Sequence, residues 1–132
     1  MQYEPTLSRE ALIDLAINRY FGNVDQKNLA ATLDCFNDEA LFCVQTEFTR
    51  HAGKPEIERM FVDFFAAWET IVHKDFTCTV DALNGRIAAS FEAVLTLPDG
   101  EATSFHNTNF WRVRDGKFQE VYVYFSGGNV LV

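Results

Sequence analysis

Two asparagines, Asn107 and Asn109, stand two residues apart in a segment otherwise patterned like a β-strand, and a tyrosine, Tyr20, stands on the apolar side of a helical pattern. Residues i and i+2 of a strand share a face. Phe105, Asn107, Asn109 and Trp111 therefore share one face, and His106, Thr108, Phe110 and Arg112 the other. If Phe105 and Trp111 pack into the core, two amides go with them, and a buried amide needs hydrogen-bond partners. Either these amides bond to each other, to helix ends or to water, or they line a cavity and address a ligand. Small-molecule sites are commonly apolar pockets with a few convergent polar groups. Tyr20 poses the same choice between a core phenol with a satisfied hydroxyl and one that points into the same cavity as Asn109.

Other reactive groups make weaker patterns. His51, His73 and His106 lie far apart and form no HxxxH or HxH spacing, so no metal site is expected, and each reads as a surface or edge residue rather than a ligand or base. Cys35, Cys43 and Cys78 form no CxxC pair and an odd count, which suits buried thiols in a reducing, cytoplasmic setting better than disulfides. No GxSxG, P-loop or GxGxxG pattern occurs, and no cofactor is expected.

The elements that must position these residues are readable from period and punctuation. Ser8 can cap a helix carrying Ile13, Ala16, Ile17, Tyr20 and Val24 on one face, ending around 22–25. A second helix is expected from Asn28, with Leu29, Leu33 and Phe36 inward and Asn37-Asp38 as its stop. Residues 40–48 read as a strand. Gly53-Lys54-Pro55 opens the clearest helix, whose stripe of Ile57, Met60, Phe61, Phe64, Phe65 and Trp68 lies opposite Glu56, Arg59 and Asp63. Asn84-Gly85, Pro98-Asp99-Gly100 and Asp115-Gly116 then separate strands at about 72–83, 86–97, 102–114 and 117–126, an antiparallel meander. On its apolar side lie Phe91, Ala93, Leu95, Leu97, Val121, Val123 and Phe125; Tyr122 and Tyr124 share the other face. Three helices on one curved, mainly antiparallel sheet make an α+β fold, expected as one domain over residues 1–132.

Composition agrees. The chain has 132 residues, 48% hydrophobic and 13 of them Phe, which excludes a disordered chain. Eleven Lys and Arg against 19 Asp and Glu give a net charge of −8 without any basic cluster, which argues against nucleic acid as a partner. The N-terminus is polar with no signal-peptide pattern, and no apolar run approaches the ~20 residues of a membrane span.

Taken together, Asn18-Arg19-Tyr20, the passage from Val24-Asp25 to Asn37-Asp38-Glu39-Ala40, Gly53-Lys54-Pro55-Glu56-Ile57, Phe110-Trp111-Arg112-Val113, Asp115-Gly116-Lys117 and Tyr124-Phe125-Ser126 resemble the nuclear-transport-factor-2-like superfamily, in its ketosteroid isomerase and SnoaL-like group. The resemblance implies a cone-shaped fold around a hydrophobic pocket. It places Tyr20 on the isomerase oxyanion-hole tyrosine. The aligned Phe110-Trp111-Arg112 segment places Asn109, rather than Thr108, on that site's protonated carboxylic acid. The family's Asp base falls on Val44, which cannot take a proton. Glu47, Asp63, Glu92 and Glu101 do not fit the inner face as replacements.

The expected function is that of a small-molecule pocket protein for a carbonyl- or phenol-bearing cyclic apolar ligand, with Tyr20 and Asn109 as the donor pair. Asn107, Val44, Met60, Phe61, Phe65, Phe91, Ala93, Phe105, Val121, Val123 and Phe125 are the expected lining. An isomerase, cyclase or hydratase competes with a non-catalytic binder and with a dimeric interaction domain. A homodimer would join through the outer sheet face around Phe110, Tyr122 and Tyr124.

Overall fold

A computed structural model describes residues 7–132; the polar stretch 1–6 lies outside the described residues. Helix α1 occupies 9–25. It opens as an α-helix at Arg9–Ile13, capped by Ser8, whose side chain accepts the Ala11 N–H. It widens into a π-helix over Asp14–Phe21 and closes as an α-helix over Gly22–Asp25. A π segment uses more residues per turn, so its buried face departs from the 3.6-residue pattern. Leu12, Leu15, Ala16, Tyr20, Phe21 and Val24 are buried, whereas the expected Ile13 and Ile17 are half-buried. The widening brings Tyr20 and its neighbour Phe21 inward together.

Helix α2 is short, Leu29–Leu33, with Asn28 as its cap. Phe36 does not extend it. Phe36 opens strand β1, Phe36–Val44, opposite Phe118, and the Phe118 N–H bonds to the Cys35 carbonyl. Full burial of Phe36 in the sheet prevails over its helical spacing. The next strand, β2 (Thr49–Ala52), pairs antiparallel with β1 and is too short and polar to register as a strand by alternation. Helix α3, Lys54–Ala67, has the expected stripe: Ile57, Met60, Phe61 and Phe64 are buried, Phe65 and Trp68 half-buried.

The meander is formed by β3 (Thr70–Asp81), β4 (Arg86–Thr96), β5 (Ala102–Arg114) and β6 (Lys117–Tyr124). At the β3–β4 turn Gly85 has φ +64°, and a Cβ there would meet the Val113 carbonyl oxygen at 2.9 Å, so glycine is required. The sheet order is β2-β1-β6-β5-β4-β3, with β1 parallel to β6 and all other pairs antiparallel. The result is an α+β cone, three helices packed on a six-stranded, mostly antiparallel sheet. Strand β3 lies at one edge and carries a register shift between Lys74 and Thr77, with Asp75 at φ 59°. This bulge switches parity: Ile71 and His73 point inward before it, Phe76, Cys78 and Val80 after it.

Candidate active site

The inner face of β5 keeps the predicted parity: Phe105, Asn107, Asn109 and Trp111 are all buried. Opposite them, α1 supplies Tyr20, whose ring makes edge contacts with Phe36, Phe61, Trp111 and Phe118 at 5.4–6.2 Å between centroids. The two sides enclose a cavity of about 30 Å³, room for one or two ordered waters. Of the residues expected around it, Tyr20, Phe61, Phe91, Ala93, Phe105, Asn107, Asn109, Val123 and Phe125 line it. Four others sit outside the lining. Val44 is fully buried between β2 and β6. Val121 pairs with Trp111 at the level of the aromatic core, two residues deeper than Val123. Met60 is buried one residue away from the cavity-facing Phe61, and Phe65 packs on Phe61 and Phe64.

The polar groups of the cavity are unequally engaged. Asn107 Oδ1 accepts from the Ser126 N–H at 3.2 Å. Asn109 Oδ1 is sealed from solvent and unpartnered, and neither atom of that amide bonds to a described residue. The second such orphan among the described residues, Trp111 Nε1, lies outside the cavity lining. The Tyr20 hydroxyl has no hydrogen-bond partner among the described residues. Burial foremost, with Cys35 and Asp25 adding repulsion, pushes its phenol far above the usual tyrosine range. Tyr20 is thus a neutral donor rather than a phenolate.

His73 lies on an edge strand, as expected of it, but its ring turns inward and lines the cavity rather than the surface. Its Nδ1 lies 2.6 Å from Asp25 Oδ1, and its backbone N–H donates to Asp25 Oδ2 at 2.9 Å. Because β3 is an edge strand, that N–H is free of the ladder and can be clamped by a helix residue. The carboxylate at the end of α1 therefore fixes the position of the ring and, in the neutral imidazole, its tautomer, with Nδ1–H donating to Asp25 and the lone pair on Nε2. Phe21 stacks on the imidazole at 4.3 Å between centroids and Phe91 meets it edge-on at 5.5 Å. The signal for this pair lay in the parity switch of β3, which marks His73 as inward with Ile71.

His51 lies on the other edge strand, β2, and likewise turns inward rather than to the surface. It is buried, and its Nε2 lies 2.9 Å from the Leu131 carbonyl oxygen. That bond belongs to a strap, residues 125–131, laid over the cavity mouth. Phe125 N–H donates to Thr46 Oγ1 and Asn129 Nδ2 to Thr49 Oγ1. Val130 and Leu131 complete the lining, and Gly127 approaches Phe105 so closely that a Cβ would stand 2.9 Å from its ring. His106 is exposed, as its parity predicts. All three cysteines are free; burial raises each thiol, that of Cys35 to about 11. No group of three or more His, Cys, Asp and Glu among the described residues could hold a metal ion, and no described helix is long and apolar enough to cross a membrane.

The family model for the SnoaL-like domain matches residues 17–121, from the π segment of α1 into β6. The chain belongs to the SnoaL-like domain family. Solved structures share the SnoaL-like fold at low identity. A proposed polyketide cyclase of Xanthomonas campestris pv. campestris superposes with a TM-score of 0.79 at 16% identity, covering 89% of this chain and 92% of its own. A proposed ketosteroid isomerase of Kribbella flavida gives 0.69 at 17% identity over 91% and 81%. An LEH-like epoxide hydrolase of M. tuberculosis gives 0.76 at 12% identity over 89% and 84%. No curated protein matches the chain. Identities this low establish a common SnoaL-like architecture and leave the chemistry to the side chains in the cavity.

Proposed function

We propose that this SnoaL-like chain, acting as one domain, is an enzyme that removes a proton from the carbon beside a carbonyl group of a small, cyclic, apolar molecule. One observation carries the reading: the Asp25-held imidazole of His73 opens on the same cavity as Tyr20 and Asn109. In the step, the C–H bond breaks and the proton passes to His73 Nε2. The electron pair moves to the carbonyl oxygen, where the Tyr20 hydroxyl and an amide N–H of Asn109 stabilise it. Returning the proton from His73 to a different carbon of a conjugated enolate completes an isomerisation; attack of the enolate carbon on a second carbonyl of the same molecule, whose oxygen takes the proton back from His73, completes a cyclisation. No electrons are gained or lost. His73 thus takes the part for which Val44 is unsuited.

The test uses 2-tetralone in D₂O, followed by NMR; the closed cavity holds only one or two waters, so the ketone enters by displacing the strap 125–131 that closes it. Wild-type protein is expected to accelerate deuterium exchange at the α-carbon, and Tyr20→Phe to reduce that acceleration by about tenfold or more, as for loss of one donor to a developing oxyanion. Binding without exchange overturns the enzyme and leaves a ligand-binding module; exchange indifferent to Tyr20→Phe removes the donor role.

The assembly proposed is a cytoplasmic homodimer through the outer sheet face. Phe110 and Tyr124 are 47% and 45% exposed there and meet edge to face at 5.8 Å, beside the Arg112–Glu120 ion pair that also holds the Tyr122 hydroxyl. Sedimentation equilibrium is expected to show a dimer for wild type and a monomer for Phe110→Glu. A monomeric wild type would overturn it.

A further inference from the structure

The two cavity asparagines make different demands on a ligand. Asn107 Oδ1 already accepts from the Ser126 N–H, so the wholly unengaged atom of that amide is its Nδ2, a donor. Asn109, 2% exposed, has its Oδ1 sealed and unpartnered, and its Nδ2 bonds to no described residue. Exchanging the oxygen and nitrogen of that amide leaves the same requirement, one acceptor and one donor side by side. The other groups on the cavity wall do not meet it: His73 Nδ1 is held by Asp25, and the Tyr20 hydroxyl bonds to no described residue. A ligand bearing a carbonyl alone would satisfy donors and seal the Asn109 oxygen away from water without a partner.

We propose that the cavity selects a molecule whose carbonyl is flanked by an O–H or N–H, an edge that pairs with the Asn109 amide at two points, its carbonyl accepting from Nδ2 and its own donor bonding to Oδ1. The proposal rests on the pocket reading above and narrows its substrate class. Sites with a buried polar group reject analogues that leave it unpaired, whereas a lost methylene alone is weakly discriminated.

The probes are 2-quinolone, whose carbonyl is flanked by N–H, and coumarin, which has the same shape with a ring oxygen in that place. Both are titrated into uniformly ¹⁵N-labelled protein and followed by NMR. Wild type is expected to bind 2-quinolone at least about tenfold more tightly than coumarin, and Asn109→Leu to bind the two within about threefold. Asn109→Ala, which cannot fill the cavity, is expected to level them likewise. Equal binding of both probes to wild type overturns the two-point proposal while the pocket reading stands. A preference that survives in both variants also overturns it, since the donor is then met elsewhere. Failure of both probes to move any cavity resonance overturns the proposal and the pocket reading together.

Discussion

His73→Gln is expected to lower the rate of α-deuteration of 2-tetralone by at least about a hundredfold, with the Michaelis constant little changed. A positioned general base contributes about 10²–10⁴-fold, and glutamine occupies similar space without a basic nitrogen. The carbonyl donors, Tyr20 and Asn109, remain, so binding persists. Asp25→Asn is expected to cost about as much, although Asp25 lies behind the imidazole and away from the reacting carbon. The amide can present its N–H₂ to Nδ1, which turns the ring to the tautomer with its proton on Nε2, the wrong one for a base. The corresponding change in the catalytic triad of serine proteases costs about 10⁴-fold. A readout independent of turnover is the imidazole itself: ¹H–¹⁵N long-range spectra are expected to show Nδ1 protonated in wild type and Nε2 protonated in Asp25→Asn. Asp25→Asn also removes a carboxylate that accepts the His73 backbone N–H, so some loss of stability accompanies it; the tautomer separates that loss from the catalytic one. Wild-type exchange rates in His73→Gln would remove His73 from the mechanism.

The inward placement of the proposed donors was legible in the sequence and that of the proposed base was not, for a local reason. Strand β5 alternates without interruption from Ala102 to Arg114, so parity alone placed Asn107 and Asn109 on the face of Phe105 and Trp111. Strand β3 does not alternate evenly. Its bulge adds a residue at Asp75, and a left-handed Asp is allowed there because its short polar side chain tolerates that conformation. A single parity drawn through β3 cannot place both His73 and Phe76 inside, yet both rings pack on Phe21. The partner of His73, Asp25, is 48 residues away at the end of a helix whose π segment shifts its inward face, and period reading does not couple such positions. The fold itself was legible because each meander strand is bounded by a turn signal. Phe36 was misplaced because helix and strand spacings agree with a single aromatic equally well, and its contact with Phe118 decided between them. His51 was hidden because its partner is a backbone carbonyl 80 residues away, which no residue pattern announces.

Above pH 10, wild type is expected to lose stability faster with rising pH than Tyr20→Phe does. Burial withdraws the phenol from water and disfavours its anion, and the nearby Cys35 and Asp25 act in the same sense, so its folded-state pKa lies above the usual 10.0. In the unfolded chain the same phenol ionises near 10. Below that pH both states hold the proton and the contribution is complete; above it the folded state binds more protons than the unfolded, and stability falls. For one such group the slope reaches about 1.4 kcal/mol per pH unit. The buried thiols decline in the same direction from a lower pH, because Cys35 is raised from 9.0 to about 11. Subtracting the Tyr20→Phe curve from the wild-type curve isolates the phenol. Thermal melts from pH 8 to 11.5 are expected to run parallel until about pH 10 and then converge or cross. At neutral pH the substitution costs little stability, since the hydroxyl it removes bonds to no described residue. Curves that stay parallel to the highest pH would mean that Tyr20 ionises as freely as in water, and the neutral donor assigned to it would be lost. A buried, neutral hydroxyl that contributes little to folding and whose loss slows exchange would be there for what enters the cavity rather than for the packing around it.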